Sequence, residues 1–181
     1  MKIGLAGGIG SGKSYVARRL ATRGIVVYDC DSAAKRIMRS DTIQQQLEQL
    51  IGCPPSKQAL TRFLLASEAN AQAINAIVHP AVFSDFEQSG LSWMESGIMY
   101  ESGANRYVDR VIVVTAPLDV RLERICERDA ISPDKARQWI ARQWPQERVR
   151  QLADYEIVND GQKDIDKQIT EILEKLCKKP F

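Results

Sequence analysis

The sequence predicts an α/β fold in which a parallel β-sheet carries helices on both faces. Three observations lead to this prediction. Short apolar segments alternate with amphipathic segments along the 181 residues. A glycine-rich turn joins the first apolar segment to the first amphipathic one. The sequence RVIVVT at Arg110–Thr115 has the uninterrupted apolar character of a strand buried on both faces. Strands that alternate with crossover helices form parallel sheets.

The individual elements follow from apolar content and spacing. Their apolar character predicts strands at residues 2–6, 25–28, 96–100, 110–115 and 155–158. Apolar residues at helical spacing predict helices at 14–21, 32–89 with a break at 53–56, 116–128, from Pro133 onward, and 163–178. Five strands alternating with these helices predict one three-layer domain.

The helical stretch is too long to be a single crossover between two strands. We therefore expect residues 33–93 to form a lobe at the strand ends, where ligands bind in such folds. The core is expected at residues 1–32, 94–123 and 150–181. An arginine-rich segment at 124–149 is predicted to be a small lid.

Composition excludes several classes of site. Twenty-five basic and 23 acidic residues give a formal charge of +2, which argues against a broad nucleic-acid-binding face. His79 is the single histidine, so sites that need two imidazoles are excluded. The four cysteines form no CxxC pair, and we expect buried thiols rather than a metal or redox site. No signal peptide or membrane-spanning stretch is recognisable, so we expect a cytoplasmic protein without membrane contacts.

Residues 7–14 read GGIGSGKS, a complete G-x-x-x-x-G-K-S phosphate loop between a predicted strand and a predicted helix. Glycines let backbone N–H groups approach phosphate oxygens, and the helix directs its positive end at the same anion. Lys13 is expected to bridge the β- and γ-phosphates of ATP, and Ser14 to hold Mg²⁺. The alternative is a glycine-rich turn that binds nothing, but the lysine, hydroxyl and flanking elements all favour the phosphate loop.

Two carboxylates follow the second predicted strand. Asp29 ends an apolar run, as an acid that reaches Mg²⁺ does in phosphoryl-transfer sites. Asp31, two residues later, is placed to accept a proton from an attacking hydroxyl. Alternatively, either residue is simply the N-cap of the next helix. The neighbouring phosphate loop favours the catalytic hypothesis.

Cations are concentrated late in the chain. Residues 121–150 contain seven arginines and one lysine against five acids. Phosphoryl transfer needs cations that neutralise the transferred group and exclude water, as arginines of a mobile lid do. For most of these arginines a solvated helix face is the better interpretation. We assign a functional role to Arg124, near the end of a strand–helix unit.

Together these motifs resemble the dephospho-CoA kinase family over essentially the whole chain. The matching segments, in chain order, are IGLAGGIGSGKS at residues 3–14, Asp29-Cys30-Asp31 with Ala34, NAIVHP at 75–80, IMYESG at 98–103, VDRV at 108–111, Ala116-Pro117, Arg124, Arg128-Asp129, Gln143 to Glu147, Ala153-Asp154 and NDG at 159–161. Two departures are Ala6 and Tyr15, where the family usually has threonine.

The resemblance implies a P-loop kinase fold and transfer of the ATP γ-phosphate to the ribose 3′-hydroxyl of dephospho-CoA. This reaction gives coenzyme A and ADP in the last step of CoA synthesis. The implied catalytic residues are Asp31 as general base, Lys13, and Arg124 at the transferring phosphate. The implied ATP-binding residues are Gly8, Ile9, Gly10, Ser11, Gly12, Lys13, Ser14, Tyr15, Arg124, Asn159 and Gly161, the last two near adenine.

The resemblance also assigns the acceptor and the metal. Asp31, His79 and Glu101 are implied to bind dephospho-CoA, with the helical lobe as the acceptor-binding lobe. Ser14 and Asp29 are implied to hold Mg²⁺. We expect a monomer or a small homo-oligomer.

Two other hypotheses stay open from the sequence alone. One is a different small-molecule P-loop kinase, with a nucleoside or a hydroxy acid as acceptor. The other is a nucleotide-binding regulator without catalysis. The chain has no NKxD guanine motif, so a GTPase-like switch is disfavoured.

Overall fold

A computed structural model of the chain describes residues 1–177. These residues form two compact units, one made of residues 1–28 and the described residues from 91 onward, the other of Asp29–Gly90. Asp29 and Asp31, which we assigned to the core, therefore belong to the second unit. The predicted final residue of the last helix, Lys178, lies outside the described residues.

The first unit is built on a five-stranded sheet with the order β2-β3-β1-β4-β5. The strands are β1 (Ile3–Ala6), β2 (Val27–Asp29), β3 (Trp93–Ser96), β4 (Arg110–Thr115) and β5 (Tyr155–Val158). β1 pairs in parallel with β3 and β4, and β4 pairs in parallel with β5. The predicted α/β fold with a parallel sheet is confirmed.

The helices of this unit surround the sheet. They are α1 (Lys13–Ala21), α6 (Leu118–Asp129), α7 (Pro133–Ile140), α8 (Gln146–Leu152) and α9 (Ile165–Cys177), with a short 3₁₀ helix at Ala104–Tyr107. Pro133 is the first residue of α7, where the missing N–H of proline costs no hydrogen bond. Pro117 and Pro145 directly precede α6 and α8.

The main core lies between the strands and helices α1 and α9. Its buried members are Ile3, Leu5, Val16, Leu20, Trp93, Ile112, Val114, Ile157, Ile165, Ile169, Ile172 and Leu176. A smaller cluster joins α6 to α7 through Leu122, Ile125 and Ala136, and the side chain of Ile9 packs against it. The main core packs α1 against the sheet that contains β1. The smaller cluster contacts the loop between β1 and α1 through the side chain of Ile9.

The second unit is helical. It contains α2 (Cys30–Ile37), α3 (Asp41–Ile51), α4 (Lys57–Ala66) and α5 (Glu68–Gln88). The long helix α5 packs against the other three, and its buried face carries Ile74, Val78, Val82, Phe83 and Phe86. The predicted break at 53–56 separates α3 from α4.

Two sequence predictions were wrong in detail. The strand expected at residues 96–100 lies at Trp93–Ser96, because the chain turns at Gly97 and the Ile98 amide donates to Ser96 Oγ over 3.2 Å. Cys30 is buried as expected, but Cys53 and Cys177 are exposed. Within residues 1–177, no helix combines the length and apolar character that a membrane span needs.

Candidate active site

The glycine-rich loop connects the buried end of β1 to the first turn of α1. Gly12 precedes this helix with a φ of 94°, a conformation that favours glycine. A Cβ atom at Gly12 would overlap Nδ2 of Asn159. The close approach of Asn159 and the left-handed backbone therefore both require glycine at this position.

Asn159 and Arg124 brace the second half of the loop. Asn159 is buried at the end of β5 and donates from Nδ2 to the carbonyl of Ser11 over 2.9 Å. Arg124 donates to Asn159 Oδ1 over 3.3 Å, and its Nη1 lies 3.5 Å from the carbonyls of Gly10 and Ser11. These residues, distant in sequence, thus hold the loop at its junction with α1.

A cavity of about 480 Å³ opens beside this junction. It is lined by Gly12, Tyr15, Arg124, Asn159, Gly161, Lys163, Asp164, Ile165 and Asp166. The first five of these are among the residues assigned to ATP from the sequence. The volume is in the range of ordinary small-molecule sites, and the exposed ring of Tyr15 forms part of the wall.

The charges around this cavity are partly neutralised. Asp166 accepts hydrogen bonds from Arg19 and from Arg23, the latter at 2.8 Å. The hydrogen bond from Arg19 is the largest cause that holds the pKa of Asp166 below its ordinary value. Because this carboxylate is charged but already paired, it repels an anionic ligand less than an isolated carboxylate would.

The first half of the loop is held by Arg121 and Gln143, to which the sequence analysis assigned no site role. Gln143 appeared there only as the first residue of a segment that matches the family. The backbone amide of Ile9 donates to Oε1 of Gln143 over 2.7 Å, and its carbonyl accepts from Nε of Arg121 over 2.9 Å. Gln143 also donates from Nε2 to the carbonyl of Gly97, directly after β3, over 3.0 Å. Nothing in the sequence separated Arg121 from the other six arginines of its segment.

Arg121 is a buried cation, with 6% of its surface exposed. Burial lowers the pKa of its guanidinium. Among residues 1–177 no carboxylate forms an ion pair with it, and a buried charge without a partner is energetically costly. An unneutralised cation beside a phosphate loop indicates a site that favours an anion.

The lysine of the motif, Lys13, extends toward the same region. A Cβ atom at Gly97 would lie 3.6 Å from Lys13 Nζ and 3.2 Å from Gln143 Nε2. Glu101 lies in this region too, where its Oε1 accepts from the backbone amide of Trp144 over 2.9 Å. Ser14 follows Lys13 in the first turn of α1, at the end of the helix that favours anions.

Asp29 in the helical unit is the N-cap of α2. It accepts from the amide and the hydroxyl of Ser32 over 2.9 and 2.6 Å, so the capping alternative for Asp29 is what the structure shows. Burial raises the pKa of Asp29, but the hydrogen bonds from Ser32 and the charge of Lys35 outweigh it, and the net pKa lies below the ordinary value. The carboxylate therefore stays ionised, and its role toward Mg²⁺ stays a prediction.

Asp31 and His79 belong to the same unit. Asp31 lies in the first turn of α2. His79 is half-buried on α5, with its ring centroid 6.0 Å from that of Phe83. Burial lowers the pKa of His79 below its ordinary value of 6.5. Their proposed roles toward the acceptor stay predictions.

The lowered pKa of His79 predicts a pH-dependent stability. The unfolded chain binds a proton at this residue more readily than the folded chain, so stability is complete above pH 6.5 and falls as the pH drops through that value. We expect His79→Gln to reduce the loss of unfolding free energy between pH 7.5 and 5.5 in urea titrations. An equal loss in both proteins would contradict this expectation. The imidazole pKa can also be measured directly by NMR, because the chain has one histidine.

Comparisons with known proteins identify the family of the chain. The model of the dephospho-CoA kinase family (CoaE) matches residues 1–164. The dephospho-CoA kinase of Bacteroides fragilis is 36% identical over 193 residues, covering 99% of this chain and 94% of that protein. The enzyme of Porphyromonas gingivalis is 38% identical, covering 95% and 92%. A crystal structure from Thermus thermophilus superposes with a TM-score of 0.84 at 27% identity, covering 97% of each chain. The chain therefore belongs to the dephospho-CoA kinase family of P-loop kinases.

Proposed function

We propose that this chain transfers the γ-phosphate of ATP to the ribose 3′-hydroxyl of dephospho-CoA, with the residue roles given below. Its family makes the chain an ATP-using kinase with dephospho-CoA kinase activity, the last step of CoA synthesis. The observation that carries the residue roles is the braced loop with a cavity of nucleoside size at one end. At the other end of the loop, the buried guanidinium of Arg121 and the ammonium group of Lys13 supply positive charge that suits phosphates.

ATP binds with its nucleoside in the cavity beside Gly12. Asn159 and Gly161 face the adenine, and Tyr15 and Arg124 form part of the cavity wall. The triphosphate then lies along the loop between Gly12 and Gly8, against those backbone amides that are not already bonded to Gln143 or to the Gly8 carbonyl. In this arrangement the γ-phosphate lies near Lys13, which neutralises charge that develops during transfer.

Ser14 and Asp29 would hold Mg²⁺. Hydroxyl and carboxylate oxygens are the ligands that Mg²⁺ prefers, and the ionised state of Asp29 fits that use. Bound Mg²⁺ supplies charge neutralisation on the phosphates. Ser32 N–H and Oγ–H fix the orientation of the Asp29 carboxylate.

Asp31 takes the proton from the attacking 3′-hydroxyl. The single histidine of the chain has its pKa lowered by burial, so at neutral pH His79 serves the acceptor as a neutral hydrogen-bonding side chain. Glu101 contributes a second polar contact to the acceptor. A monomer or small homo-oligomer in the cytoplasm stays our prediction.

The test is an assay of the purified protein with Mg-ATP and dephospho-CoA, in which CoA and ADP are quantified by chromatography. We expect equal amounts of both products. A parallel panel of nucleosides and hydroxy acids tests the competing kinase hypothesis, and turnover with one of these instead of dephospho-CoA would refute the proposed acceptor. Tight ATP binding without turnover of any acceptor would favour a regulator.

A further inference from the structure

We propose that Gln143 is a positioning residue for phosphoryl transfer, an inference that rests on the proposed function. Its carboxamide and the guanidinium of Arg121 hold the two peptide units that flank Ile9, one through the Ile9 N–H and the other through the Ile9 carbonyl. We call these two side chains the Ile9 clamp. The clamp fixes the shape of the first half of the phosphate loop and ties it to the end of β3.

The clamp uses both backbone groups of Ile9. Gln143 Oε1 accepts from its N–H over 2.7 Å, and Arg121 Nε donates to its carbonyl over 2.9 Å. The Ile9 side chain packs against the cluster between α6 and α7. The N–H, the carbonyl and the side chain of Ile9 are therefore all engaged, and rotation of either peptide unit that flanks this residue breaks one of the two hydrogen bonds.

Gln143 also connects the loop to a second element. Its Nε2 donates to the carbonyl of Gly97 over 3.0 Å, so one carboxamide spans the distance between the loop and the end of β3. Lys13 Nζ approaches the same glycine. The clamp therefore acts at the end of the loop where the γ-phosphate is proposed to lie, away from the cavity at Gly12.

The chain segment that carries Gln143 is itself held in place. Gln143 lies between α7 and α8, and the next residue, Trp144, donates its amide to Glu101 over 2.9 Å. Arg148 stacks on the Trp144 ring with its guanidinium carbon 3.3 Å from the ring centroid. Because its segment is held in place, the neutral side chain of Gln143 can fix the Ile9 backbone before the substrates bind. This lowers the reorganisation that phosphoryl transfer requires.

The experiment compares Gln143→Ala with a matched control, Gln146→Ala. Gln146 accepts from the amide of Ala116 over 3.1 Å, so the control also removes a glutamine–backbone hydrogen bond, three residues away and outside the loop. We expect Gln143→Ala to lower kcat about 100-fold, the cost of a misplacement of about 1 Å. The Kd for ADP should change by less than about threefold, because the nucleoside cavity and Gly12 are untouched. The control should keep its kcat.

Hydrogen exchange gives a readout that does not depend on turnover. Without nucleotide, the Ile9 amide should exchange slowly in the wild-type protein and in Gln146→Ala, and fast in Gln143→Ala. Gln143→Glu, which keeps the acceptor for Ile9 but loses the donor to Gly97, serves if the alanine variant does not fold. It should keep the exchange of the Ile9 amide slow and still lose turnover.

Wild-type kcat in the Gln143 variants, or an unprotected Ile9 amide in the wild type, would overturn the clamp. An inactive wild-type enzyme with a protected Ile9 amide would instead refute the proposed function.

Discussion

Replacing Gly12 with alanine is expected to weaken ATP binding at least ~100-fold, which corresponds to about 2.7 kcal/mol. The added Cβ would overlap Asn159 Nδ2. Asn159 must then withdraw, and its buried hydrogen bond to the Ser11 carbonyl is lost. In addition, alanine at a φ of 94° costs roughly 1–2 kcal/mol of backbone strain. The wall of the nucleoside cavity is then displaced, because Asn159 and Gly12 both line it.

A matched control separates steric displacement from backbone strain. Gly24 has a φ of 78°, in the same compact unit, and a Cβ there would meet no atom within 4 Å among the described residues. Gly24→Ala therefore carries the strain alone, and should lower the melting temperature while ATP affinity stays within about twofold. Titration calorimetry with ATP measures both variants. Wild-type affinity in Gly12→Ala would show that the loop tolerates the displacement and would remove Asn159 from the site.

The features that the sequence predicted are those encoded over short distances. Strand, glycine loop, lysine and helix start lie within residues 3–21, so their combination is visible without knowledge of the fold. The core followed from strands of continuous apolar character. The family resemblance added Asn159 and Gly161, which the structure brings to one cavity with Gly12 and Arg124.

Arg121 and Gln143 received no site role from the sequence because their contacts depend on tertiary structure, although Gln143 begins one of the segments that match the family. They reach Ile9 across 112 and 134 positions of the chain. Arg121 lies on a helix with other arginines, and only its burial distinguishes it from a solvated cation such as Arg128, which pairs with Asp129 at the surface. Periodicity and composition carry no information on which arginine of such a helix turns inward.

Asp29 shows a different limit of sequence reasoning. Capping and metal binding were alternatives, yet the structure shows that they are compatible, because a cap uses one lone pair of each oxygen and leaves others for a cation. The cap also orients the carboxylate and keeps it ionised. The sequence alone could not decide between capping and metal binding, because both need an acidic residue at position 29.

Asp31→Asn is expected to cut turnover at least ~100-fold while ATP affinity stays within about threefold. The amide has the size of the carboxylate but cannot accept the proton of the 3′-hydroxyl. Because Asp31 lies in the first turn of α2, the substitution also removes a favourable interaction with the helix dipole. That interaction has to be controlled for before the loss of turnover is assigned to proton transfer.

Asp41→Asn provides the control, since Asp41 is the first-turn acid of α3 in the same helical unit. Both variants should lose a similar, small amount of stability in urea titrations, about 0.3–1 kcal/mol. Only Asp31→Asn should lose kcat in the assay with Mg-ATP and dephospho-CoA. Equal turnover in the two variants would exclude Asp31 as general base, and proton acceptance would then have to be sought at another carboxylate. The chain has a single histidine, His79, and burial lowers its pKa. Glu101 would therefore be the next side chain to test, by Glu101→Gln in the same assay.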